Sequence, residues 1–209
     1  MPTVLVLTSS ALGHLSVSNQ LVQDAVARLR SRDHSLTVIT RDLGDSPIAH
    51  LNSDAAAAPR GAAPANAAQE TAQALSSELI AELKAADILI IGAPMYNFGI
   101  TSTLKTWFDY VLRPGLTFRY TESGPIGLVA GKRAIVFESR GGFYSEGPTK
   151  AMDSQEPHLR NLLGFMGITA VTFIRAENLA FGPDAREQAI DAARAQLGHL
   201  LQNEYLRAA

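Results

Sequence analysis

Three short runs of this chain gather the residue types that hold a charged, flat small molecule. In Thr8–Leu21 (TSSALGHLSVSNQL), the hydroxyls of Ser9, Ser10, Ser16 and Ser18 flank Gly13, and a helical pattern begins near Ser18 or Asn19. Backbone N–H groups at a helix N-terminus carry partial positive charge, and hydroxyls beside them can donate to phosphate oxygens. Read structurally, the same serines are a helix cap and ordinary loop polar groups. In Ile91–Lys105 (IGAPMYNFGITSTLK), Pro94 and Gly99 bracket Met95, Tyr96, Asn97 and Phe98. One restricts the backbone and the other frees it, placing two rings and an amide just after a buried strand. The bland alternative is a connector whose rings only pack. In Phe137–Gly147 (FESRGGFYSEG), Ser139 and Arg140 offer donors, and Gly141-Gly142 lets the backbone approach a flat ligand closely. Alone, that run is equally a plain Gly-Gly turn.

The elements that position these runs follow from apolar patterning. Val4–Leu7, Ser35–Thr40, Ile88–Ile91, Ala134–Phe137 and Ala170–Ile174 read as strands. Helical patterns occupy Ser18–Arg30, Ala68–Lys84, Ser102–Leu112, roughly Gln155–Gly164, and Asp184–Leu206. Nearly continuous apolar strands alternating with helices predict a parallel sheet covered on both faces. The expected fold class is α/β, a flavodoxin-like doubly wound five-stranded parallel sheet of order 2-1-3-4-5. In that order the first, third and fourth strands are neighbours, so the three runs meet at one edge. Ala55–Ala67, rich in Ala and Pro, reads as a long loop, and Arg113–Lys132 as a turn-rich excursion before the fourth strand.

Composition bounds the rest. The 209 residues, 46% of them hydrophobic, suit a single domain over 1–209 with a full core. A formal net charge of −2 gives no reason to expect nucleic acid or an anionic membrane as partner. The absence of cysteine excludes disulfides, a thiolate nucleophile and Cys-ligated metal. His14, His34, His50, His158 and His199 are scattered without ligand spacing, so no metal is expected. The opening MPTVLVLTSS lacks a basic segment and is too short for a signal peptide or membrane span, so a cytoplasmic protein is expected.

The first loop contains neither GxGxxG nor GxxxxGK[ST], which argues against a dinucleotide fingerprint and a P-loop. A phosphate held by hydroxyls and amides, with a flat ring between an aromatic/amide loop and a Gly-Gly loop, fits FMN.

The chain resembles the FMN-dependent NADH:quinone oxidoreductase/azoreductase family, once described as acyl-carrier-protein phosphodiesterases. The likeness is carried by VLVLTSSALGHLSVSNQL, LIAELKAADILIIGAPMYNFGITSTLKTWFDYV, GLTFRYTESGPIGLVAGKRAIV, SRGG, LGFMGIT, FIRAE and FGP, in one order over nearly the whole chain. Asn52–Ala68 is the part where such proteins differ from one another. The resemblance implies a homodimer with FMN at its interface and ping-pong turnover. NADH or NADPH reduces the flavin and leaves, and a quinone or azo compound takes its place. By position, Ser10, Ser16, Val17 and Ser18 would hold the phosphate. Met95, Tyr96, Asn97 and Phe98 would line the ribityl chain and ring, and Ser139, Arg140, Gly141 and Gly142 the pyrimidine side. Tyr120 matches an aromatic placed near the bound substrate, and Phe118 belongs with it or packs beneath it. Val17 stands where relatives often carry a polar residue, though its backbone N–H still serves a phosphate.

Such a site needs no acid–base dyad, because the flavin carries the redox chemistry and the protein positions rings and tunes the potential. Hydride transfer needs the nicotinamide within about 3.5 Å of the flavin face. Backbone N–H groups of Asn97–Gly99 and Gly141-Gly142 are placed to stabilise the reduced ring's negative charge. Arg60 is a candidate for the NAD(P)H phosphates or, alternatively, a solvated side chain. The apolar stretch Leu162–Ile168 is core or dimer interface. A flavodoxin-type electron carrier is the alternative function, although carriers of that kind tend to be far more acidic. A flavin-free binding module is a second.

Overall fold

The computed structural model describes residues 1–52 and 63–205. Arg60, most of the Ala55–Ala67 loop, and Leu206 at the end of the expected fifth helix lie outside these residues. Five parallel strands form the main sheet: β1 (Thr3–Thr8), β2 (Thr37–Asp42), β3 (Ile88–Pro94), β6 (Arg133–Ser139) and β7 (Ala170–Ala176), in the order β2-β1-β3-β6-β7. Counting only these strands, that is the expected 2-1-3-4-5. β4 (Phe118–Thr121) and β5 (Gly124–Gly127) pair antiparallel in a separate hairpin inside the turn-rich excursion. The excursion's glycines hid this pair, because strand runs of four residues broken by Gly and Pro carry almost no periodic signal.

Alternation along each central strand splits the core in two. Leu5, Leu7, Leu89, Ile91, Ala134 and Val136 face one side, where α2 (Ala67–Ala85), α3 (Ser102–Val111) and α4 (Glu156–Phe165) cover them. Val4, Val6, Ile88, Ile90, Ile135 and Phe137 face the other, under α1 (Val17–Arg32) and α5 (Pro183–Tyr205). Burial on both faces is why these strands read as continuous apolar runs. β2, at the sheet edge, has only exposed or partly buried side chains and begins two residues later than its composition suggests. Its Arg41 is instead tied to Glu78 and Glu82 of α2.

Within Leu162–Ile168, Leu163, Met166 and Ile168 are fully buried in the core under α4. These three are core residues, so their apolar character is no argument for an interface between copies. Gly167, at φ 96°, lets the chain reverse there, and β5 packs directly on it.

Candidate functional site

Strand register brings the three runs together. Thr8 of β1 sits beside Gly92 of β3, and Pro94 of β3 beside Ser139 of β6, so all three strands end on one edge. Direct bonds then fasten the loops. Ser9 donates its hydroxyl to the Gly92 carbonyl at 2.9 Å, and the Met95 N–H donates to the Ser139 carbonyl at 2.9 Å. The Tyr96 phenol oxygen accepts the Ala11 N–H at 3.1 Å and lies 3.4 Å from the Ser10 hydroxyl. Phe98 meets Tyr144 edge to face with centroids 6.0 Å apart, joining the second loop to the third.

The first loop turns through one short 3-10 segment, Gly13–Leu15, before α1 begins at Val17. The cap is Ser16, not Ser18: the Asn19 N–H donates to its Oγ. Ser18 is fully buried and hydrogen-bonds Ser16 across 3.0 Å, while Asn19 donates its side-chain amide to the Gly13 carbonyl and holds the turn. Ser10 accepts the Leu12 N–H at 3.2 Å. The N–H groups of Val17 and Ser18 have no acceptor among the described residues. Two open donors at a buried helix N-terminus, with the hydroxyls of Ser10, Ser16 and Ser18 on the same loop and no Lys or Arg within Thr8–Leu21, fit a phosphate dianion.

The second loop is tighter than its sequence indicates. Tyr96 and Gly99 exchange backbone hydrogen bonds, and the residues between them, Asn97 and Phe98, have φ of 48° and 71°. That is the geometry of a two-residue I′ turn, usually built from Asn and Gly; Phe in this region is strained. The Ser154 N–H, donating to the Phe98 carbonyl at 2.9 Å, helps hold it. The Gly99 N–H is therefore spent on Tyr96, which removes one of the three donors anticipated from Asn97–Gly99. The N–H groups of Asn97 and Phe98 keep no acceptor among the described residues.

In the third loop, the carbonyls of Gly141 and Gly142 accept the N–H groups of Ala180 and Asn178, each at 3.0 Å. Their own N–H groups have no acceptor among the described residues. A Cβ at Gly142 would lie 3.1 Å from the Tyr144 ring, so that glycine lets backbone and ring approach.

Arg140 corrects an expectation. Its guanidinium is not an available donor; it is fully buried, bonded to Glu138 (2.7 Å), Asp153 (3.0 Å), Glu177 (3.2 Å) and the side-chain amide oxygen of Gln155 (3.0 Å). Its N–H donates to Ala176 and its carbonyl accepts from Leu179. Burial disfavours its charge, but the three carboxylates outweigh that and keep it charged. Burial pushes the Glu138 carboxyl up to about 8 against the pull of Arg140 and Arg175. Glu156 is also disfavoured by burial, yet hydrogen bonds from Arg175 and Arg160 bring it below the ordinary range. Tyr144, Gln155 and Glu177 thus belong to the site's framework although the sequence did not single them out. Glu177 lies in the FIRAE run and Tyr144 in the Phe137–Gly147 run, while no local pattern marks Gln155.

On the hairpin, Tyr120 is 72% exposed while Phe118 is buried against Phe165 (centroids 4.6 Å apart) and edge-on to Tyr120 (5.5 Å). Phe118 packs beneath Tyr120, between it and Phe165. Glycine docks this hairpin: a Cβ at Gly127 would sit 2.1 Å from the Gly167 backbone nitrogen. Surface hollows of about 360–390 Å³ are lined by residues of α4, of α5 and of α1.

A doubly wound sheet with ligand-binding loops at the carboxyl ends of adjacent strands defines the flavodoxin-like class, and the profile of the flavodoxin-like fold family matches residues 2–201. The FMN-dependent NADH:quinone oxidoreductase of Hyphomonas neptunium is 52% identical over 202 residues, covering 97% of each chain. Its counterpart from Ralstonia nicotianae is 49% identical, covering 98% of this chain and 99% of the relative. Among solved structures, an azoreductase from Bacillus anthracis superposes with a TM-score of 0.86 at 26% identity, over 96% of this chain and 98% of that one. The chain belongs to the flavodoxin-like fold family and, within it, to the FMN-dependent NADH:quinone oxidoreductases.

Proposed function

We propose that this protein is an FMN-dependent NADH:quinone oxidoreductase that also reduces azo compounds, working by ping-pong two-electron transfer. The observation that supports it most is the set of open backbone donors on three mutually fastened loops: Val17 and Ser18, Asn97 and Phe98, Gly141 and Gly142. Relatives about 50% identical over nearly their full length carry that activity in their names.

Bound FMN supplies the redox chemistry; the residues of this chain bind, orient and polarise. The N–H groups of Val17 and Ser18, with the hydroxyls of Ser10, Ser16 and Ser18, hold the phosphate at the start of α1. Met95–Phe98 line the ribityl chain and one margin of the ring. Ser139 and the Gly141 and Gly142 N–H groups take the pyrimidine side, where preorganised donors favour the negative charge of the reduced ring. Tyr120, exposed at the tip of a docked hairpin, offers a stacking surface for a planar acceptor.

The exposed Leu12, Leu15 and Phe143 on the site's loops, with exposed Met152 shortly after the third, support a homodimer in which a second copy closes the site. Either NADH or NADPH serves as donor in this scheme, with NADH favoured by the relatives' names. Quinones are the physiological acceptors in our proposal. A cytoplasmic setting goes with a cysteine-free chain in which no described helix is long and apolar enough to cross a membrane. The test is NADH oxidation with a quinone and purified protein carrying FMN. Turnover is expected; FMN binding without NADH consumption would leave an electron carrier instead.

A further inference from the structure

We propose that Arg140 is a positioning residue, whose buried guanidinium holds the Gly141-Gly142 N–H groups in place for the flavin without touching it. The inference rests on the flavin-binding role of this loop.

The guanidinium sits where three parts of the chain meet. Its Nη2 reaches Glu138 on β6 and Asp153 in the turn before α4; Nη1 reaches Glu177 beyond β7; Nε reaches the side-chain oxygen of Gln155. Each partner is itself committed. Glu177 accepts the N–H groups of Tyr144 (2.7 Å) and Ser145 (3.0 Å) and the Ser145 hydroxyl (2.6 Å), fixing the far end of the glycine loop. Asp153 caps α4 by accepting the N–H groups of Gln155 and Glu156. Gln155 donates its amide to the Ala93 carbonyl at 2.8 Å, at the end of β3. One planar fork therefore ties both sides of Gly141-Gly142 to the strand that carries Met95–Phe98.

Two glycines in a row are the most freely jointed segment the backbone offers, and ordering them is entropically costly. Their carbonyls are held by Asn178 and Ala180, on the segment directly after Glu177, so fixing Glu177 fixes the acceptor side of the turn. What remains pointing outward is the pair of N–H groups. Only arginine presents several donors in a rigid plane; lysine is a point charge and cannot span three carboxylates and an amide at once. The burial of this cluster has no counterpart elsewhere among the described ion pairs, all of which leave a partner partly exposed.

The experiment compares the parent protein with Arg140→Lys and Glu177→Gln. FMN affinity is read from quenching of flavin fluorescence, the midpoint potential of bound FMN by equilibration with reference dyes, and folding of each FMN-free protein by circular dichroism. Both variants are expected to remain folded, bind FMN about tenfold more weakly, as loss of one hydrogen bond would do, and hold it at a more negative potential. Each tenfold loss of preference for the reduced form corresponds to about 30 mV. If Arg140→Lys does not fold, Glu177→Gln decides by the same readouts. Folded variants with the parent's affinity and potential would overturn the positioning role and leave the flavin site standing. A parent that binds no FMN would overturn the flavin site, and this role with it.

Discussion

The phenol oxygen of Tyr96 accepts the backbone N–H of Ala11 at 3.1 Å, a bond between residues 85 positions apart that ties the third strand's loop to the first strand's. The sequence presents Tyr96 as a ring beside the ligand; its hydroxyl also shapes the first loop. Tyr96→Phe keeps the ring and removes that link. FMN affinity should fall about fivefold, the worth of one neutral hydrogen bond of about 1 kcal/mol. A fluorescence titration with an unchanged dissociation constant would show that the first loop holds its shape unaided.

Ser18 is fully buried and its hydroxyl bonds Ser16 at the start of α1. Ser18→Ala should weaken FMN binding by roughly tenfold or more, since hydrogen bonds to a charged group are worth about 1.5–3 kcal/mol. Riboflavin, which lacks the phosphate, should bind the variant and the parent alike. Equal losses for both ligands would mean that the serine only supports the helix.

Gly127 packs its backbone on Gly167, leaving no room for a Cβ. Gly127→Ala should destabilise the protein by about 1–3 kcal/mol through overpacking, and displace the hairpin that presents Tyr120. KM for a quinone should rise while FMN affinity stays near the parent's. A thermal melt and quinone kinetics unchanged from the parent would place the hairpin's anchor elsewhere.

Glu138 is buried, and burial raises its carboxyl from the ordinary 4.5 to about 8. The groups facing it are Arg140 on its own loop, Arg175 on β7, Glu156 on α4, and Asp153 before it. The folded protein keeps this proton to higher pH than the unfolded chain, so the stabilisation is full below 4.5 and fades as pH rises through about 8. Glu156, shifted downward, acts in the opposite sense, its contribution fading as pH falls through its lowered value. Glu138→Gln should therefore flatten the decline of unfolding free energy from mildly acidic to mildly alkaline pH, measured by denaturant titration. A parent-like decline in the variant would assign it to another group.

The sequence by itself determined the five parallel strands, the five helices and the three loops that meet at the sheet edge. Those follow from short-range patterning: strands buried on both faces read as apolar runs, helices as a 3.6-residue period, and loop ends as Ser, Gly and Pro. What only the tertiary structure decided was where polar groups and short strands found partners. Arg140 read as a ligand donor because a guanidinium after a strand end usually faces solvent. It turns inward because Glu138, Asp153, Gln155 and Glu177, from two other parts of the chain besides its own strand, meet there. Phe118 and Tyr120 are two residues apart on one strand, yet one is core and the other exposed, a split set by the docking of Gly127 on Gly167. Local pattern encodes which face an element buries; which side chain meets which across 15 or 40 residues is fixed only when the layers pack.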